Sequence, residues 1–210
     1  MYEKLPSFVI GFHGCDQAVK EAVLHKGEQL KPSLNKYDWL GNGVYFWEQN
    51  YERAMEFATE AAEKNQKLSK GSIKNPAVVG AVIDLGNCLN LMDSEHIQRL
   101  EYAYELYKVM TNLAGSEMAV NKGGPDRIGR YLDRAVIETL HNYMDNENDP
   151  YDTARGLFIE GDPVYEGAGF YKKTHIQICV RNMNCIKALF DPRKDISNPF
   201  DAVRSISTTK

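Results

Sequence analysis

A chain of 210 residues with 43% hydrophobic and 26% charged side chains suits one globular domain that can bury a core. Its formal net charge of −4 excludes a global basic field that would draw it onto nucleic acid. The four cysteines (Cys15, Cys88, Cys179, Cys185) make no CxxC pair and the histidines are scattered, which argues against zinc or another metal.

The apolar run at 7–13 follows a proline and reads as a buried strand that ends on His13-Gly14. Residues 16–27 read as a helix, with Asp16 as cap, Val19, Ala22 and Val23 on one face, and Gly27 as its stop. The turn formers of 31–43 predict a loop, and the aromatic and β-branched stretch 44–48 (VYFWE) a second strand. Residues 50–68 form a further predicted helix, capped by Asn50 and lined by Ala54, Phe57, Ala58 and Ala61. The lysines of 64–74 read as a solvated helix end and loop rather than a nucleic-acid face.

Residues 77–86 read as a strand buried on both faces, 94–115 as a helix ending at Gly115, and 130–144 as a helix broken by 145–152. Strands follow at 155–161, 174–181 and 185–191, and 196–210 is a polar tail, leaving 1–195 as a single domain. Strands and helices do not alternate regularly, so α+β is expected rather than a doubly wound sheet. No apolar run reaches membrane-spanning length, and no basic stretch or small-residue cleavage site marks the N-terminus. A cytoplasmic protein with reduced cysteines and no membrane contact is the expectation.

One pair of elements carries chemistry. The first strand ends in His13-Gly14, and the second follows a Gly-x-Gly turn as "GNGVYFWE", which puts Tyr45 just past the turn. This ordered pair resembles the first two signatures of ADP-ribosyltransferases of the His-Tyr-Glu, poly(ADP-ribose)-polymerase-like type. The resemblance covers the first third of the chain well and its end more loosely. It implies two small, mostly antiparallel sheets around an NAD cleft, with helices outside. It gives His13 a ribose hydroxyl of NAD to hold, Gly14 a backbone clamp on the nicotinamide carboxamide, and Tyr45 a flat face against the ring. Tyr51 or Phe57, from the following helix, completes the sandwich.

The third family element, a catalytic Glu at the start of a late strand, is where the sequence departs. The matching stretch carries His175 and Gln177, two apart and so on one face, but no Glu. A carboxylate is available nearby from Glu160 or from Glu166, of which Glu166 lies in the loop that faces the acceptor in such enzymes. The catalytic candidates are therefore Glu160, His175 and Gln177. On the substrate side stand Tyr37, Glu166 and Arg155; Arg155 is placed either at the pyrophosphate or in a structural pair with Asp126 or Asp133.

The family's chemistry passes through an oxocarbenium-like state as nicotinamide leaves. Absence of the Glu goes with transfer of a single ADP-ribose, which makes a mono-ADP-ribosyltransferase the leading expectation. NAD is its co-substrate, no metal takes part, and the acceptor is a nucleic-acid base or a protein side chain. Free-standing domains of this size are often toxins of toxin–antitoxin or anti-phage systems, which implies an antitoxin partner. The competing readings are a non-catalytic module holding NAD or ADP-ribose and a plain NADase, with an RNA 2′-phosphotransferase ranked last for want of clustered basic residues.

Overall fold

A computed structural model describes residues 8–66, 68, 71–123 and 129–192. The polar tail at 196–210 and Asp126 lie outside the described residues. The fold is α+β: one mixed seven-stranded sheet and four helices.

Strand β1 (Phe8–Asp16) leads into α1 (Gln17–His25) through Asp16, whose carboxylate accepts from the Ala18 amide at 2.9 Å. The same carboxylate accepts from Lys74 N and Asn75 N, and these backbone bonds, that from Asn75 foremost, hold its pKa below the ordinary value. Strand β2 (Val44–Glu48) is followed by α2 (Tyr51–Glu63), where Asn50 caps the Arg53 amide at 2.9 Å. Then come β3 (Pro76–Asp84), β4 (Cys88–Asn90) and α3 (Ser94–Leu113). Helix α4 (Tyr131–Asn146), β5 (Thr153–Phe158), β6 (His175–Val180) and β7 (Ile186–Phe190) complete the chain.

The strand order is β4-β5-β6-β2-β1-β3-β7, antiparallel at every step except the parallel β4–β5 pair. Where two separate sheets were expected, a single hydrogen-bonded sheet is found. Its two halves are joined narrowly: β1 meets β2 only at Gly11–Glu48 and Phe12–Trp47, while β1 and β3 pair along all of β1.

Alternation sends Val44, Phe46, Val79, Ala81, Ile83, Ile178 and Val180 to one face, where they pack with Val23 of α1, Leu30 and Cys185. On the other face α2 covers Trp47 and Val78, while α3 and α4 cover Leu89, Ala154 and Cys179. The helix predicted at 50–68 stops at Glu63, two residues before Asn65 turns to a φ of 49°. The strand predicted to end at His13-Gly14 runs on to Asp16. What stops there is its pairing with β2, which itself runs on beside β6.

Candidate functional site

The register between β1 and β2 defines the split. Gln49 N donates to Ile10 O at 2.9 Å, so the peptide groups of Ile10, Phe12 and Gly14 point toward β2, because a strand residue's N–H and C=O face the same neighbour. Phe12 meets Trp47, and the next hydrogen-bonded pair in that register would be Gly14 with Tyr45. That pair does not form. Instead the His13 ring reaches across and its Nδ1 lies 2.7 Å from the Tyr45 carbonyl. A carbonyl only accepts, so Nδ1 carries the proton. The Gly14 peptide thus faces the opened gap between the strands.

Gly14 also has a packing reason to be glycine: a Cβ there would run into the Ala54 carbonyl of α2 and crowd Phe57. His13, 9% exposed, sits on the opposite face of the sheet, with its ring centroid 5.6 Å from that of Phe46. Tyr45 is tied down through its hydroxyl. It is half-buried, and its hydroxyl accepts from Leu40 N at 3.0 Å and donates to Gly41 O at 2.9 Å. Burial raises its pKa well above the ordinary tyrosine value. Helix α4 secures the same turn: Glu138 accepts from Asn42 N at 2.6 Å and Arg134 donates to the Asn42 side chain at 2.8 Å.

Beside the split, across β2, β6 and β5, lies a belt of polar and aromatic side chains. Trp47 is in register with Gln177, Gln177 with Gly156, and His175 with Phe158, so all of them share the face that α2 covers. Ring centroids step from Phe57 to Trp47 (4.9 Å), Trp47 to His175 (6.1 Å), His175 to Phe158 (5.5 Å) and Phe158 to Trp39 (5.4 Å). Trp39 Nε1 donates to Gln177 Oε1 at 2.6 Å, and Gly156 leaves the room that the Trp39 ring fills. Glu160, just past β5, accepts from Arg53 Nη2 at 2.7 Å. His175 Nδ1 donates to the Lys173 carbonyl at 2.6 Å, which makes Nε2 the unprotonated nitrogen of a neutral ring. Burial is the main cause that lowers the His175 pKa, and the charge of Arg53 pushes the same way.

The fold therefore gathers Glu160, His175, Gln177, Phe57 and Gly14 along one side of the sheet. Tyr51 packs edge-on against Phe12 (5.8 Å), at the edge of the cluster. Tyr37 stands apart in the loop, bonded to Gln66 and close to Tyr131, and burial is the main cause of its raised pKa. Glu166 is exposed in the β5–β6 connection. Arg155 is not among the gathered residues. It points to the opposite face, where its guanidinium grips both carboxylate oxygens of Glu48. The pairing considered with Asp133 is not found, since Asp133 pairs with Arg130, while Asp126 lies outside the described residues.

Sequence reasoning missed Arg53 and Trp47. Alternation along VYFWE does put Trp47 on the same face as Tyr45, so that signal was present. Nothing local marked Arg53. An apolar groove of about 350 Å³ between α3 and α4, lined by Tyr102, Leu106, Leu140, Tyr143 and Met144, includes none of the candidate residues. Among the described residues no group of three or more His, Cys, Asp or Glu is placed to hold a metal, and no helix is long and apolar enough to cross a membrane.

No family model matches the chain, and no solved structure matches it. Among curated proteins it is similar to "Uncharacterized protein MJ0359" of Methanocaldococcus jannaschii, at 24% identity over 203 residues covering 88% of each chain.

Proposed function

We propose that this protein is an NAD-dependent mono-ADP-ribosyltransferase. One observation carries the reading: the β1–β2 ladder opens where Gly14 and Tyr45 would pair, and His13 bridges to Tyr45 across the opening. Two motifs 32 residues apart are thereby set on either side of one gap. In this reading the Gly14 peptide, which can both donate and accept, meets the nicotinamide carboxamide. The aromatic pair of Phe57 and Trp47 adds an apolar wall beside Tyr45.

In the reaction, the acceptor nucleophile forms a bond to the ribose carbon as the bond to nicotinamide breaks. Nicotinamide leaves with the bonding pair, and the acceptor's proton goes to a base. His175 suits that task, because its Nε2 is unprotonated and its Nδ1–H is anchored. Glu160 is the nearby carboxylate to steady the developing cation once it leaves Arg53. Acceptor, toxin character, antitoxin and cytoplasmic location belong to the same proposal.

A second reading, a module that holds NAD or ADP-ribose without turnover, draws on Gln177. It is bonded to Trp39 on the strand where such enzymes carry a carboxylate. The test is incubation with NAD labelled on its adenylate phosphate and a cell lysate, followed by nuclease or protease in parallel. Label removed by one of the two treatments supports transfer and names the acceptor. Nicotinamide released without macromolecular label makes the protein an NADase, and neither product leaves the silent module.

A further inference from the structure

Four polar atoms in the belt are buried without a hydrogen-bond partner: Trp47 Nε1, Arg53 Nε and Nη1, and His175 Nε2. The side chains that bear them are almost wholly enclosed, Trp47 at 4%, Arg53 at 7% and His175 at 5% exposure. They are neighbours: the Trp47 and His175 rings lie 6.1 Å apart, and the charges of Arg53 and Glu160 both act on His175. Arg53 has one nitrogen satisfied by Glu160 at 2.7 Å, and Glu56 stands 3.5 Å from Nη1 as an ion pair only.

Folded proteins leave few buried donors unmet, because each is destabilising, so several in one place point to a missing partner. The imbalance says what kind. Three donor nitrogens are unmet against one accepting ring nitrogen, and two of the three belong to a guanidinium. Such a set wants an acceptor-rich anion, and a guanidinium with two unmet N–H edges suits a tetrahedral oxyanion.

We propose that Arg53, Trp47 and His175 form a binding site for a phosphoryl group, closed by the Glu160 carboxylate standing on the same guanidinium. Glu160 is placed to leave. It is followed by Gly161, at a φ of 85°, where the chain turns out into the 162–171 connection. The far end of that connection is fastened by Lys173 to Glu60, seven residues beyond Arg53 and so about two turns along the same stripe of α2. Entry of the anion replaces one carboxylate on Arg53 with an oxyanion that also meets Trp47, and His175 contributes a donor when it takes up a proton. Within the transferase reading the group belongs to NAD and takes the role first assigned to Arg155, but the site is argued from buried atoms alone.

The chain has two tryptophans, so ¹⁵N-labelled protein gives two indole N–H signals, assigned with Trp47→Phe. Inorganic pyrophosphate, ADP-ribose and adenosine are titrated in turn. The Trp47 signal moves and saturates with pyrophosphate or ADP-ribose and not with adenosine, while Trp39, held by Gln177, stays in place. Much tighter binding of ADP-ribose names a nucleotide as the source, and equal binding names a free phosphate. Trp47→Phe gives up buried ring volume and so unfolds at somewhat lower urea, but it stays folded without ligand and binds about tenfold more weakly, as does Arg53→Lys. Glu160→Gln, which removes the competing charge, binds about tenfold more tightly.

A Trp47 signal unmoved by all three probes overturns the site, as does an equal response to adenosine or unchanged binding by Arg53→Lys. A Trp47 response without nicotinamide release retires the transferase and keeps the site. Nicotinamide release with a silent Trp47 does the reverse.

Discussion

The Tyr45 carbonyl is bonded by the His13 ring at 2.7 Å, in the place where β-sheet register would give it the Gly14 amide. The histidine is therefore part of the sheet's construction and of the candidate site together. Substituting it tests both roles.

His13→Ala removes NAD use in the transferase reading, and it also destabilises the fold by about 1–3 kcal/mol, because a buried carbonyl loses its donor. Tyr45→Phe separates the two effects. It removes the bridge between Leu40 N and Gly41 O at a cost of about 1–2 kcal/mol and keeps the ring, so nicotinamide release persists. Urea unfolding and a nicotinamide assay on both variants check this; loss of release in Tyr45→Phe contradicts it.

Gly14→Ala forces a methyl group against the Ala54 carbonyl and so pushes α2 off the sheet. A loss of about 1–3 kcal/mol is expected, as for other overpacked sites. An unchanged urea midpoint would mean that α2 sits further from β1 than described.

Arg155→Lys keeps the charge but breaks the two-pronged grip on Glu48. Stability falls by about 1–2 kcal/mol, while nicotinamide release and ADP-ribose affinity stay at the wild-type level, because the pair lies on the far face of the sheet. A selective loss of affinity would return Arg155 to the cleft.

Stability depends on pH through His141, fully buried between α4 and the 38–43 turn, with Nε2 3.3 Å from Leu40 O. Burial, then Arg181, lowers its pKa from 6.5 to about 4, against the opposing pull of the Leu40 bond and Asp145. Glu138 and the Tyr151 ring also face it. Between these two values the unfolded chain binds the proton and the folded chain does not. The contribution is complete above about pH 6.5 and is lost as pH falls toward 4, to a total of about 3 kcal/mol. His175, whose pKa is lowered too, adds a loss of the same sign. Urea midpoints at pH 7 and pH 5 measure the slope, and His141→Gln flattens it.

The elements were legible where apolar spacing is strong, as in VYFWE and the Ala-lined α2. The residues 13–16 (HGCD) carry no strand signal, so the continuation of β1 was invisible; its reason is pairing with β3, which begins sixty residues further on. Strand β4, three residues long, is too short to show a period. The ladder gap at Gly14 and Tyr45 depends on which strands become neighbours, and composition says nothing of that. The pairing of Arg155 with Glu48, 107 residues apart, is equally non-local. The motif identified the two sides of the gap, while Arg53 and Trp47 became visible only through the packing that buries them.

The strand order has a consequence for the newborn chain. β6, made of residues 175–180, lies between β5 and β2 in the middle of the sheet. Until those six residues leave the ribosome, β2 and β5 have no shared neighbour, and His175 and Gln177 are not yet part of the chain. A polypeptide halted before them has neither the centre of the sheet nor the wall of the candidate site that β6 supplies.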